Sequence, residues 1–149
     1  MSNFLYKKVM VVDDSKLDRY LSTALIEKSH FAEEVSNFSS ATAALVYLKA
    51  MAGSAAAVPQ LIFLDINMPV MDGFDFLDAY KKLPTEVQQQ CNIIMISSTN
   101  SADDFARIKV YPSVRLFFNK PLSGKILVNI HKHMQGENLS DDKFIFRAQ

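Results

Sequence analysis

The sequence is poor in cysteine and has neither a net charge nor a long apolar run. Its one cysteine, Cys91, excludes an intrachain disulfide and fits a reducing compartment. Sixteen basic residues balance sixteen acidic ones, which gives no electrostatic basis for direct binding to nucleic acid or to an anionic membrane. No apolar run reaches the roughly 18 residues of a membrane span, and no signal peptide is visible at the start. We therefore expect a cytoplasmic protein.

The apolar residues that are present form short runs that alternate with helical patterns. A hydrophobic fraction of 49% in 149 residues is enough for the buried core of one domain. Four of these runs predict buried strands, and the alternating pattern of residues 32–38 predicts another. The five predicted strands cover residues 9–12, 32–38, 61–65, 92–96 and 114–118.

Helical spacing follows each predicted strand. The first helix runs from a Ser15 cap to about Ser29. Its residues recur at helical spacing at Leu17, Tyr20, Leu21, Ala24, Leu25 and Lys28. Later helices are predicted after Ser40, over 74–83, over 101–109 and over 122–133, with a further turn at Pro84 and a stop at Gly136. This alternation predicts an α/β fold, a doubly wound parallel sheet of five strands with helices on both faces.

The stretch from Leu61 to Gly73, L-I-F-L-D-I-N-M-P-V-M-D-G, joins a strand to a turn. A continuous apolar run suits a strand that is buried on both faces, as in a parallel sheet. Asp65 then falls near the carboxyl end of a central strand, the edge at which open α/β sheets bind ligands. Taken alone, Asp65 could equally end the strand or cap a turn.

Polar side chains lie at the ends of four predicted strands. Asp13 and Asp14 follow the first strand, Asp65 ends the third, Ser97 follows the fourth and Lys120 follows the fifth. Because the carboxyl ends of parallel strands share one edge, these residues should become neighbours. Each has a local explanation as a cap or turn residue. Their joint occurrence, each at the end of one of four strands, nevertheless predicts a site.

The chemistry of this set favours a magnesium and phosphoryl site. Three carboxylates in one place repel each other, and a hard divalent cation relieves that repulsion. Mg²⁺ prefers oxygen ligands and retains several waters. Lys120 is a point charge suited to a phosphoryl oxygen, and Ser97 is a neutral donor to another. Asp65 is then a candidate nucleophile that forms an aspartyl phosphate.

Four motifs carry a resemblance to a known family: V-V-D-D-S, F-L-D-I-N-M-P-V-M-D-G, M-I-S-S and F-F-N-K-P. Together they resemble the signature of response-regulator receiver domains of the chemotaxis-regulator type, over roughly residues 7–134. The resemblance implies the flavodoxin-like strand order 2-1-3-4-5 and a role in two-component signalling. We expect a receiver domain over 1–136 and a C-terminal tail of unknown role over 137–149.

The resemblance assigns the phosphoryl chemistry to three residues. Asp65 matches the phosphoacceptor, while Ser97 and Lys120 match the phosphoryl-binding hydroxyl and amine. The phosphoryl group would come from a sensor histidine kinase or a phosphotransfer protein, and the output would pass to an unidentified protein target. Such a domain is not an enzyme with a separate substrate, since it only promotes its own Mg²⁺-dependent phosphorylation and dephosphorylation.

The same resemblance assigns the metal ligands. Asp14 and Asp65 match direct ligands of Mg²⁺, the backbone carbonyl of Asn67 matches a third ligand, and Asp13 matches a ligand that acts through water. The Lys120–Pro121 bond is expected to be cis, as it often is in the family.

Two residues depart from the commonest family pattern. Ser98 stands where alanine or glycine is frequent, which would narrow access to the phosphoryl group. Phe117 stands at the position of an aromatic switch residue that is often tyrosine, so a contact through a hydroxyl is lost. With Ser97, Phe117 is expected to change the face formed by the 101–109 helix and the fifth strand.

Three alternatives use other readings of the same residues. A haloacid-dehalogenase-type phosphatase needs a second aspartate two residues after the nucleophile, and Asn67 occupies that position. Its other acidic pair should also follow the nucleophile, whereas Asp13 and Asp14 precede it. A degenerate receiver that acts only as a binding module is disfavoured, because all five key positions are intact. A nucleotide-binding domain is disfavoured, because no Gly-rich loop follows the first strand.

Overall fold

The predicted strands all form in the structure, a computed structural model that describes residues 3–98 and 102–136. Their ends differ from the predicted ones by a few residues at most. The strands are β1 (Tyr6–Val12), β2 (Ala32–Phe38), β3 (Leu61–Asp65), β4 (Asn92–Ser97) and β5 (Val114–Asn119).

An α-helix follows every strand, the connection from β3 to β4 contains two α-helices, and a short 3-10 helix (Ala55–Ala57) precedes β3. Over the described residues there are six α-helices: α1 (Lys16–Lys28), α2 (Ala41–Ala50), α3 (Gly73–Tyr80), α4 (Thr85–Gln90), α5 (Ala102–Ile108) and α6 (Gly124–Met134). Serine side chains cap α1, α2 and α6, because Ser15, Ser40 and Ser123 each accept a backbone N–H from the first helical turn. The predicted stop at Gly136 is confirmed by its positive φ of 84°.

The five strands form one parallel sheet in the order β2-β1-β3-β4-β5. This confirms the predicted doubly wound, flavodoxin-like fold. All five residues of β3 are buried, as are the last four of β1, because helices cover both faces of the sheet. One apolar cluster lies under α2, α3, α4 and α5, and a second lies under α1 and α6.

Helix α1 forms as predicted, but several of the apolar residues at helical spacing do not face the sheet. Leu17, Tyr20 and Leu21 are 64%, 70% and 52% exposed. Ser22 and Ile26 are buried instead, and Ile26 packs in the cluster with the β1 and β3 side chains. Leu25, which belongs to the same spacing, packs partly against this cluster, so the spacing predicts the helix but not which of its residues meet the sheet.

Helix α3 is shorter than predicted, and a second helix follows it. Helix α3 ends at Tyr80 rather than Leu83, and Pro84 precedes the separate helix α4, which confirms the predicted new turn there. The side-chain amide of Gln88 donates to the carbonyls of Lys81 and Leu83, which satisfies backbone acceptors between the two helices.

Two predictions concern parts of the chain beyond the sheet. The predicted tail over 137–149 lies outside the described residues, as does Ser101, the first residue of the predicted fifth helix. Within the described ranges, every helix is too short or too polar to cross a bilayer.

Candidate functional site

The carboxyl ends of β1, β3, β4 and β5 bring the predicted residues to one edge of the sheet. Asp65 pairs in register with Ile96, one residue before Ser97, and Ser97 pairs with Asn119, one residue before Lys120. The backbone N–H of Lys120 donates to the carbonyl of Ser97 at 2.8 Å. The parallel pairing therefore joins strand ends that are distant in sequence.

The three predicted carboxylates form a tight cluster at this edge. Asp13, Asp14 and Asp65 each place an oxygen within 4.8 Å of the other two. Asp13 and Asp65 are buried, with exposed fractions of 1% and 3%, whereas Asp14 is exposed. The cluster is thus closed toward the sheet and open toward solvent at Asp14.

The ammonium group of Lys120 lies among these carboxylates but is not centred on Asp65. Its Nζ lies 2.7 Å from Asp13 Oδ2 and 3.6 Å from Asp65 Oδ2. It also lies 2.8 Å from Oδ2 of Asp18, a residue of α1. Lys120 therefore compensates the buried Asp13 directly and Asp65 only at longer range.

Burial dominates the electrostatics of Asp65. It raises the pKa of this carboxyl to about 7, and the charge of Asp13 adds to the rise, with a smaller effect from Asp14. The Lys120 ammonium and the backbone N–H of Asn67 act in the opposite direction. The desolvation of the charged carboxylate raises the pKa more than the attraction of the Lys120 ammonium lowers it. Asp65 therefore ionises only as the pH approaches neutrality.

The ammonium of Lys120 is held in its charged form. Burial lowers its pKa, but hydrogen bonds to Asp13 and Asp18 and the charge of Asp65 outweigh that effect and leave the pKa above its ordinary value. The side chain is 15% exposed, so this positive charge lies mostly inside the site.

The loop from β3 to α3 is fixed close to Asp65. The N–H of Gly73 donates to the carbonyl of Ile66 at 2.8 Å. A Cβ at Gly73 would lie 2.8 Å from the Asp65 carbonyl oxygen and 2.9 Å from Ile66 Cα, so glycine alone fits here. Asp72 and Asp75 then form a reciprocal capping box that starts α3. The loop therefore returns directly to the site.

The residues present fit a magnesium ion. The cluster offers carboxylate oxygens, which Mg²⁺ prefers, and the exposed Asp14 leaves a side where the ion can keep its waters. Asn67 lies two residues after Asp65, and its backbone N–H contacts the Asp65 carboxylate. The resemblance predicts the backbone carbonyl of Asn67 as a metal ligand. The contact of its N–H with Asp65 was not predicted.

The predicted switch residues lie in the core next to this edge. Ser97 and Phe117 are fully buried. The Phe117 ring packs against Phe105 of α5 with 6.3 Å between ring centroids. Ser98, the predicted narrowing residue, is exposed. The Lys120–Pro121 bond is cis, as the resemblance implied.

Two residues of α1 were missing from the predicted site. Asp18 contacts Lys120, and Arg19 donates from Nη1 to the Asp13 carbonyl at 2.7 Å. The spacing Ser15 to Asp18 is that of a capping box, which gives Asp18 a purely local explanation in the sequence. No local signal could reveal its contact with a residue 102 positions away.

The chain matches one protein-family model and is similar to a curated protein. A family model described as "Response regulator receiver domain" matches residues 9–132. A protein-glutamate methylesterase/protein-glutamine glutaminase of Halalkalibacterium halodurans is 33% identical over 125 residues. That match covers 84% of this chain but 33% of the relative, so the chain spans about a third of the relative's length.

Solved structures share the fold over most of their length. A two-component response regulator from Cytophaga hutchinsonii superposes with a TM-score of 0.80 at 26% identity, over 89% of this chain and 98% of that one. The receiver domain of the Arabidopsis thaliana histidine kinase CKI1, crystallised with Mg²⁺, superposes with a TM-score of 0.70 at 26% identity. This second match covers 89% of this chain and 95% of that domain.

Proposed function

The chain belongs to the response regulator receiver domain family of two-component signalling, and we propose that it accepts a phosphoryl group on Asp65 with Mg²⁺ bound. The observation that carries this proposal is the cluster itself. A carboxylate at the end of a buried central strand lies within 4.8 Å of two others and within 3.6 Å of a lysine ammonium. The donor would be a phosphohistidine of a sensor kinase or phosphotransfer protein.

The residues divide the work of the transfer. A carboxylate oxygen of Asp65 attacks phosphorus, and the P–N bond to the donor imidazole breaks as the new O–P bond forms. The electron pair of the broken bond stays on the imidazole nitrogen, which takes a proton from solvent. Lys120, already charged, neutralises phosphoryl oxygens, and Ser97 donates to another. The protein is in this scheme the substrate of its own reaction rather than an enzyme for a separate one.

The metal ligands in this proposal are Asp14, Asp65 and the Asn67 carbonyl, with Asp13 acting through water. Mg²⁺ would neutralise charge on the phosphoryl oxygens. The chain contributes the carboxylates and the fixed β3–α3 loop that hold it. The Mg²⁺ bound to the receiver domain of CKI1 supports this part of the proposal.

Mg²⁺ should raise the melting temperature of the wild type and hardly that of Asp14→Ala. At about 100 times its dissociation constant, the ion should add roughly 2.7 kcal/mol to the free energy of unfolding, because it binds the folded cluster and not the unfolded chain. Asp14→Ala removes a ligand that is exposed and supports no packing. In chelator this variant should melt slightly higher than the wild type, since one repelling charge is gone.

Thermal melts in chelator and in millimolar Mg²⁺ measure both effects. Asp103→Asn, which removes an exposed aspartate of α5, is the control and should respond as the wild type does. Equal shifts in the wild type and Asp14→Ala would show that the metal binds elsewhere.

The proposed output runs from Ser97 to α5. A phosphoryl oxygen that accepts a hydrogen bond from Ser97 would draw the end of β4 toward Asp65. Phe117, on the neighbouring strand, packs against Phe105, so a shift there would move α5. A downstream protein would read the changed face of α5 and β5.

Ser97→Ala should uncouple phosphorylation from this output. The variant should still take beryllium trifluoride, a phosphoryl mimic, but the backbone amide NMR shifts of α5 and β5 should change much less than in the wild type. The coupling free energy between binding of the phosphoryl mimic and the change at α5 and β5, which this variant should lose, is expected at about 1–3 kcal/mol. Ser97→Thr keeps the hydroxyl and is the matched control. Wild-type shifts in the alanine variant would exclude this route.

The alternatives have less support. The family match and the sheet order leave nothing in favour of a haloacid-dehalogenase-type phosphatase. A receiver that acts only as a binding module would bind neither Mg²⁺ nor the phosphoryl mimic at Asp65. The cytoplasmic location remains a prediction from the sequence.

A further inference from the structure

The ammonium group of Lys120 contacts a carboxylate of helix α1, Asp18, in addition to those at the strand ends. Asp18 Oδ2 lies 2.8 Å from Nζ, almost as close as Asp13 Oδ2 at 2.7 Å. Asp65 Oδ2 lies at 3.6 Å, beyond hydrogen-bond distance. Three carboxylates thus surround one positive charge. Asp65, the proposed phosphoacceptor, lies farthest from it.

The carboxylate of Asp18 is available to Lys120 because a capping box is half formed. Ser15 Oγ accepts the backbone N–H of Asp18 at 3.1 Å, as a capping serine should. The reciprocal bond, from the N–H of Ser15 to the Asp18 carboxylate, is missing because that N–H donates to Asp13 Oδ1 at 2.9 Å. In α3, by contrast, Asp72 and Asp75 complete both bonds.

We propose that Asp18 is a positioning residue that holds the Lys120 ammonium against α1 and competes for it with the phosphoryl group on Asp65. This inference rests on the proposed function. A phosphoryl group bears negative charge and attracts the same ammonium. The attraction of the Lys120 ammonium to Asp18 therefore weakens its interaction with the phosphoryl group and destabilises the phosphorylated state. Asp18 would thus set how readily the site accepts and keeps a phosphoryl group.

The expected effect of Asp18→Asn is tighter binding of beryllium trifluoride in millimolar Mg²⁺. The gain should be about threefold to fivefold, the scale of a partly exposed ion pair, because the Asp18 side chain is 38% exposed. Calorimetric titration of the full chain measures it. The variant keeps the backbone N–H that Ser15 accepts, so α1 keeps its cap. Asp18→Glu retains the charge and should bind nearly as the wild type does.

A double-mutant cycle with Lys120→Ala separates competition from simple charge removal. If Asp18 acts through Lys120, Asp18→Asn should gain clearly less in the Lys120→Ala background than in the wild type. A gain of the same size in both backgrounds would overturn the proposal, because it would show only the loss of a nearby negative charge. An unchanged or weaker affinity of Asp18→Asn would overturn it as well.

A second measurement requires no phosphoryl mimic. In chelator, the ammonium ¹⁵N resonance of Lys120 should be observable in the wild type because its hydrogens are held by two carboxylates. Asp18→Asn should speed the exchange of these hydrogens with water, and Asp18→Glu should restore slow exchange. Equal exchange in the wild type and Asp18→Asn would overturn the contact. A wild type that binds no beryllium trifluoride but shows the exchange difference would refute the proposed function instead.

Discussion

Asp65→Asn is expected to lose all phosphoryl labelling. Wild-type protein incubated with a small phosphodonor and Mg²⁺ should gain one phosphoryl group, which mass spectrometry would detect on the intact chain. The bond should be lost at alkaline pH, as expected for an acyl phosphate. The asparagine variant keeps the size and shape of the side chain but offers an amide, which is a poor nucleophile. Asp65 is buried at the end of β3, so the neighbouring Asp13 and Asp14 do not occupy the position from which it would attack.

The control for this experiment is Asp103→Asn, which changes an exposed aspartate on α5 and should label as the wild type does. Omission of Mg²⁺ should reduce labelling of both proteins. Asp65→Asn protein that labels as fully as the wild type would place the phosphoacceptor elsewhere. Absence of labelling in the wild type as well would instead favour a receiver that acts only as a binding module.

The strands could be predicted closely because both faces of this sheet are covered. Residues 61–65 are all buried, so the sequence shows one uninterrupted apolar run that ends at the functional carboxylate. The convergence of Asp13, Asp65 and Lys120 followed from the parallel topology alone. These parts depend on local composition and on a rule that every parallel sheet obeys.

The unpredicted parts depend on contacts between distant segments. The orientation of α1, with Leu17 and Tyr20 outward and Ser22 inward, is decided by how the helix packs on the sheet. The contact of Asp18 with Lys120 depends on whether the N–H of Ser15 donates to Asp18 or to Asp13. In the sequence the two choices look the same, because both acids lie near the serine.

Asp65→Asn should also stabilise the metal-free protein, and the gain should grow with pH. The unfolded Asp65 has its ordinary pKa near 3.8, whereas burial, reinforced by the charge of Asp13, raises the folded value to about 7. Between these values the folded state binds more protons than the unfolded state, so the wild type loses stability as the pH rises. Below the lower value the site contributes no difference, and above the higher value the loss is complete. Asparagine does not titrate and avoids the loss.

The size of this effect follows from the shift. Each pKa unit corresponds to about 1.4 kcal/mol, so the wild type should lose on the order of a few kcal/mol between about pH 4 and pH 8. Chemical denaturation of both proteins in chelator across this range measures the difference in unfolding free energy. Glu27→Gln, which neutralises an exposed carboxylate on α1, is the matched control and should leave the pH profile unchanged.

Mg²⁺ provides the final check on the cause. The ion should restore stability to the wild type above about pH 7 and do much less for Asp65→Asn, which lacks a charged ligand. The gap between the two proteins should therefore narrow in millimolar Mg²⁺. A stability difference that stays constant from acid to neutral pH would mean that Asp65 does not carry the cost of ionisation. The binding of a cation at the buried Asp65 carboxylate would then not relieve a cost of ionisation.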